Sequence, residues 1–150
     1  MDMVVHQAKK AIEEDGEEIV SVFFAEKESD CSMNIIMAPW ASTQEKQSIL
    51  NQLRVMFKEM NITRYTHMCE AWASSDMNHH NMGGMPSEDP QRQEVLIVTS
   101  VSRGEVRGRT FPIIRDREDK RTLGPQKEMP PGTTLGGEIT TLLGNSPKLN

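Results

Sequence analysis

Arginines in and beside one candidate strand carry the clearest chemistry of this sequence. Four of them are odd-numbered: Arg103, Arg107, Arg109 and Arg115. Successive side chains of a strand point to opposite faces, so this spacing predicts that the guanidinium groups share one face. Such groups bind carboxylates and phosphates through paired hydrogen bonds, whereas charges on an edge strand prevent unwanted strand pairing. The stripe is therefore predicted to be either a binding surface or a solvated edge.

Carboxylates that could bind these arginines are concentrated near the N-terminus. Residues 1–30 hold nine acidic and three basic residues. Residues 31–115 hold eight acidic and nine basic residues, and residues 116–150 hold five of each kind. The asymmetry favours a protein partner or a homo-oligomer, in which the acidic segment contacts the arginines within the chain or from a second copy. The net charge of −5 argues against nucleic acid, which requires a positive field. Trp72 and Arg92 complete the predicted binding residues.

A second candidate site lies in the segment 75–90, which has no periodicity and is predicted to be a long loop. Its stretch 76–85 holds two histidines and three methionines, side chains that suit copper or zinc. The predicted metal ligands are His79, His80, His67 and Cys69. The alternative is a surface loop in which these residues are incidental, because adjacent side chains of an extended segment diverge.

Enzyme signatures are missing from the sequence. It has no phosphate-binding glycine loop, nucleophile elbow or zinc-protease helix motif. Glu70 and Glu94 lie on neighbouring candidate strands and could form a carboxylate pair for acid–base chemistry. Pairing of Glu70 with a basic group such as Arg92 is the more common arrangement. The sequence therefore favours a protein that is not an enzyme, and it predicts no cofactor.

Two amphipathic helices and five strands must position these residues. Ser42 and Glu45 form a capping box at the start of a helix that extends to Met60, with Leu53 and Phe57 on its apolar face. Residues 3–14 predict a first helix that ends before Gly16. The predicted strands are Ile19–Glu26 and Met33–Ala38, which form a hairpin, then Arg64–Ser74, Glu94–Val101 and Glu105–Arg115.

The order α-β-β-α-β-β-β predicts an α+β two-layer domain, with an approximately five-stranded mixed or antiparallel sheet covered by helices. Glu94–Val101 is predicted to be central, because its consecutive apolar residues suit burial on both faces. Glu105–Arg115 is predicted at an edge, because Pro112 lacks an N–H group. Residues 1–115 form the predicted domain. Residues 116–150 are predicted to be an irregular, Pro- and Gly-containing tail, in which Ile139–Leu143 alone could pack onto the domain.

Composition places the chain among cytoplasmic globular proteins. The 150 residues are 36% hydrophobic, no apolar run approaches the length of a membrane helix, and no signal-peptide pattern opens the sequence. Cys31 and Cys69 are far apart and outside any C-x-x-C motif, which indicates reduced thiols and a cytoplasmic location.

A short motif resembles small uncharacterised proteins of bacteria and phages. It consists of Ala71–Trp72 at a strand end, followed by P-x-R-x-E from Pro90 to Glu94 at the start of an apolar strand. The resemblance covers about residues 65–115 and implies a bacterial or phage source, but no activity, cofactor or catalytic residue.

Taken together, the sequence favours a non-catalytic interaction protein that acts by protein–protein binding or self-assembly. One alternative is a small-anion or nucleotide-binding protein, or an enzyme, that uses the arginines of the fifth strand. The other is a metal-binding protein that uses the loop 76–85.

Overall fold

The computed structural model describes residues 2–27, 32–73, 93–128 and 142–143. Helix α1 spans Asp2–Glu13 and helix α2 spans Thr43–Glu59. The strands are β1 (Val22–Lys27), β2 (Met33–Met37), β3 (Ile62–Ala73), β4 (Gln93–Ser102), β5 (Glu105–Arg115), β6 (Arg121–Leu123) and β7 (Lys127–Glu128). All pairings are antiparallel, in the order β2-β1-β3-β4-β5-β6, and β7 also pairs with β5. The predicted α+β class and element order are confirmed, with two short strands added.

The start of α2 is fixed by the predicted capping residues. Ser42 has an extended backbone, and its Oγ accepts a hydrogen bond from the Glu45 N–H at 3.1 Å. The Glu45 carboxylate accepts in turn from the N–H of Ala41 at 2.7 Å, one residue before the position expected for a capping box. These bonds satisfy backbone donors that have no partner inside the helix.

Helix α2 covers one face of the sheet, termed the α2 face. Leu53 and Phe57 are buried there, as the spacing predicts. The Phe57 ring lies 6.4 Å from that of Phe23 on β1 and 5.3 Å from that of Tyr65 on β3, centroid to centroid. These aromatic contacts hold the helix across the centre of the sheet.

Helix α1 covers the opposite face, termed the α1 face. Its buried residues Val4, Ala8 and Ile12 pack in one cluster with Val22 and Met68, which alternate along their strands with residues of the α2 face. The sheet thus lies between the two helices, which gives three layers where two were predicted. Neither of these helices is long and apolar enough to cross a membrane, and no other helix is found in the described part of the chain.

Strand β4 is central as predicted, between β3 and β5, but the edge position predicted for β5 is wrong. Strand β5 pairs with β6 and β7 on its other side. The C=O of Pro112 accepts a hydrogen bond from the Gly124 N–H on that side. The N–H and C=O groups of one strand residue point to the same side of the strand. An N–H group at position 112 would therefore point away from β4, between the residues of β5 that pair with β7 and those that pair with β6. Proline at this position consequently costs no hydrogen bond to β4.

Part of the segment 116–150, which was predicted to be irregular, belongs to the sheet and the core. Strands β6 and β7 lie within it, and Gly124 sits against the Pro112 ring, where a Cβ would lie 2.7 Å from Cγ. Leu142 is buried in the cluster on the α2 face, and its N–H donates to the Tyr65 hydroxyl at 3.4 Å. The proposed packing of Ile139–Leu143 is therefore seen for Leu142, whereas Ile139 lies outside the described residues.

Candidate binding face

The side chains on the α1 face of the sheet change from apolar at one edge to cationic towards the other. Cross-strand pairing places Ile35, Phe24, Thr66, Ser100 and Arg107 in one row across five strands. The row is apolar on β2 and β1, carries hydroxyl groups on β3 and β4, and is cationic on β5. Two adjoining grooves follow from this gradation.

The first groove, termed the polar groove, has a volume of about 330 Å³. It is lined by Glu26, Arg64, Thr66, Ser100, Ser102, Glu105, Arg107 and Arg109. Thr66 and Ser100 are directly paired neighbours on β3 and β4, so hydroxyl groups lie between the arginines of β3 and β5. Arg64 is not among the binding residues predicted from the sequence, because no motif marks it. Only the register of β3 with β4 places it near the arginines of β5.

Each arginine of the polar groove has a carboxylate nearby. Arg107 donates from Nε to Glu105 at 2.6 Å, and Arg109 donates to Asp2 at 2.8 Å. The hydrogen bond from Arg109, reinforced by its charge, lowers the pKa of Asp2. The acidic N-terminal segment thus supplies one carboxylate to the arginines within the chain. Arg64 lies 3.9 Å from Glu26, at the limit of an ion pair.

The other predicted binding residues do not join this groove. Arg115 shares the face of Arg107 and Arg109, but it lies at the opposite end of β5. It donates two hydrogen bonds of 2.8 Å to Glu94, and these bonds, reinforced by the charge of Arg115, lower the pKa of that carboxylate. Arg103 is in the turn before β5 and is not part of the strand alternation.

The two predicted binding residues outside the arginine stripe also lie elsewhere. Trp72 is exposed near the far end of β3, and Arg92 lies outside the described residues. The predicted stripe is thus divided between two ends of the sheet.

The second groove, termed the apolar groove, lies between α1 and the β1–β2 hairpin, with a volume of about 410 Å³. It is lined by Met3, Val4, Gln7, Ala8, Ala11, Ile19, Phe24, Met33, Ile35 and Met68. Ile35 is 65% exposed and its neighbour on the same face, Met37, is 67% exposed. No described strand pairs with the outer edge of β2. Exposed apolar residues that cluster in this way commonly mark interaction surfaces.

A buried serine–histidine pair lies under α2, on the opposite face. The Oγ of Ser21 lies 2.7 Å from Nε2 of His67. The imidazole lies between two aromatic rings, with its centroid 4.5 Å from that of Phe23 and 6.2 Å from that of Trp40, whose ring is stacked on it. Burial, followed by the charge of Lys46, lowers the pKa of His67 to about 4. The imidazole is therefore neutral at pH 7, and because both residues are buried they hold the core together rather than face a substrate.

The predicted metal ligands are only partly visible. His79 and His80 lie outside the described residues. His67 uses Nε2 for Ser21, and burial raises the pKa of the Cys69 thiol to about 11, which disfavours the thiolate that binds metals. The described ranges contain no group of three potential metal-binding side chains. A metal site in the loop 76–85 stays a prediction.

Glu70 and Glu94 do not act as a pair. Glu70 accepts hydrogen bonds from the Arg121 guanidinium and from the Ile19 N–H, and Glu94 is bound by Arg115. The opposite-charge partner expected for Glu70 is thus Arg121 of β6. The sequence does not identify this partner, because Arg121 falls in the segment 116–150 that is predicted to be irregular.

No protein-family model matches the chain, and no curated protein or solved structure is significantly similar to it. Function is therefore inferred from the residues of the two grooves and from the exposed strand edge beside them.

Proposed function

We propose that the protein acts by protein–protein binding, with the outer edge of β2 and the apolar groove as its docking surface. The observation that carries the proposal is the combination of an edge strand with two exposed apolar side chains, Ile35 and Met37, on the face that borders the groove. The activity is non-catalytic, since the docking surface holds no nucleophile or acid–base group among the described residues that line it.

The composition of β2 suits the addition of a partner strand. Edge strands are usually protected from pairing by charged residues, proline or bulges. The sequence of Met33–Met37, MNIIM, contains none of these residues. A partner strand would bond to the backbone groups on the side of β2 with which no described strand pairs, and the apolar groove would receive its side chains.

A second copy of the chain is the partner that fits β2 most simply. Antiparallel pairing of two β2 strands centred on Ile35 would place Ile35 opposite Ile35 and Met33 opposite Met37 of the other copy. The two-fold axis would be perpendicular to the sheet, so both α1 faces would lie on the same side and their apolar residues would adjoin. Such an interface uses one patch twice, as most homodimers do.

Charge introduced on the docking surface tests the proposal. We expect Ile35→Lys to reduce the mass measured by size-exclusion chromatography with light scattering from that of a dimer to the 17.0 kDa of one chain. Val55→Lys on α2 and Ile114→Lys on β5 are matched controls, because both residues are exposed and apolar but lie away from β2. Both controls should keep the wild-type mass.

One result would contradict self-assembly, and another would contradict the docking surface. A wild-type mass of one chain at every concentration would rule out self-assembly, and a different protein would then be the partner. Cross-linking to such a partner that was equally efficient in wild type and in Ile35→Lys would rule out the docking surface itself.

A further inference from the structure

We infer that the polar groove binds a small phosphorylated polyol, such as a sugar phosphate. This inference goes beyond the proposed protein–protein binding and uses different residues. Arg64 on β3 and Arg107 on β5 lie on either side of β4, on strands about 10 Å apart. The hydroxyl groups of Ser100 and Ser102 lie between them on β4, and that of Thr66 lies beside Ser100 on β3.

The two arginines have hydrogen-bonding capacity left for a phosphate group. The side chain of Arg64 is 62% exposed, and its contact with Glu26 at 3.9 Å is too long for a hydrogen bond. The side chain of Arg107 is 69% exposed, and its bond to Glu105 involves Nε. A guanidinium group has five N–H donors, so the terminal amino groups of both residues can bind phosphate oxygens.

The carboxylates of the groove favour a phosphate ligand whose remaining part carries hydroxyl groups. Glu26 and Glu105 lie beside the two arginines and offset their charge. A ligand that is anionic throughout would be repelled by these carboxylates, whereas the hydroxyl groups of a polyol would donate hydrogen bonds to them. One phosphate with several hydroxyl groups matches this mixture of arginines, carboxylates and hydroxyl side chains.

The size and lining of the groove favour a sugar phosphate over a nucleotide. Its volume of about 330 Å³ is at the lower end of the range for small-molecule sites. The described residues that line it include no aromatic ring, on which a nucleotide base would stack.

Isothermal titration calorimetry with ribose 5-phosphate tests the inference, with ribose, inorganic phosphate and ATP as comparison ligands. We expect ribose 5-phosphate to bind more tightly than any of the three. Arg64→Gln and Arg107→Gln should each weaken it by about tenfold, since each removes a charge-assisted hydrogen bond. The matched controls are Lys58→Gln on α2 and Arg117→Gln after β5, both exposed and outside the groove.

Several outcomes would overturn the inference. These are no binding of ribose 5-phosphate, equal binding of ribose, tighter binding of ATP, or an equal loss in the control variants. If an arginine variant fails to fold, Ser100→Ala serves in its place, and unchanged affinity in that variant would also count against the site. Ile35→Lys should bind ribose 5-phosphate as wild type does, which separates this site from the docking surface of β2.

Discussion

The buried His67 predicts that the protein loses stability between pH 7 and pH 5. Its imidazole has a pKa of about 4 in the folded protein, against 6.5 as its ordinary value. Between these values the unfolded chain binds one proton more than the folded protein, so a lower pH favours unfolding. The stability is fully present above pH 6.5 and falls by about 1.4 kcal/mol per pH unit down to pH 4.

The expected loss at pH 5 is about 2 kcal/mol, which lowers the Tm of a protein of this size by roughly 4–8 °C. His67→Gln removes the titrating group and keeps an amide that can bond to Ser21. The free energy of unfolding, measured in urea at pH 7 and pH 5, should therefore change less in this variant than in wild type. His6→Gln, on the exposed side of α1, is the control and should behave as wild type. Equal losses in wild type and His67→Gln would refute the reasoning.

Three further predictions concern the packing of the core and the residues that follow β5. Phe57→Ala should lower the free energy of unfolding by about 3–5 kcal/mol through cavity formation. Val55→Ala, at an exposed position of the same helix, should change this free energy little. Equal effects of the two substitutions in denaturant melts would show that α2 does not cover the core. Arg121→Ala should lower it by about 3 kcal/mol, because it leaves the largely buried Glu70 without its partner, and an unchanged melt would exclude that ion pair. Leu142→Ala should lower it by about 2–5 kcal/mol if this leucine is part of the core, and no change would show that it is not.

The elements with strong local signals could be predicted from the sequence. The capping residues Ser42 and Glu45 and the apolar spacing that includes Phe57 are determined within one helix, and the alternation of β5 within one strand. Local hydrogen bonds and burial of one face are sufficient to specify such elements.

Features that depend on strand pairing could not be predicted. Arg64 joins Arg107 only through the register across β4, and Arg115 is separated from both by the length of β5. The exposure of Ile35 depends on β2 being at the edge of the sheet, and a short apolar run gives no sign of which strand is outermost.

Cross-linking can detect the association of two β2 strands. In a chain whose own cysteines, Cys31 and Cys69, are replaced by alanine, Ile35→Cys would place two thiols opposite each other at the two-fold axis. Facing residues of antiparallel strands have Cα atoms about 4.5–5.5 Å apart, within the range of a disulfide. Met37→Cys is the control, because the two copies of residue 37 would lie about 13 Å apart along the strands.

Non-reducing electrophoresis after mild oxidation gives the measurement. We predict a covalent dimer for Ile35→Cys and a monomer for Met37→Cys. The absence of a dimer in the first variant, or dimers of equal yield in both, would contradict the pairing of β2 with a second copy.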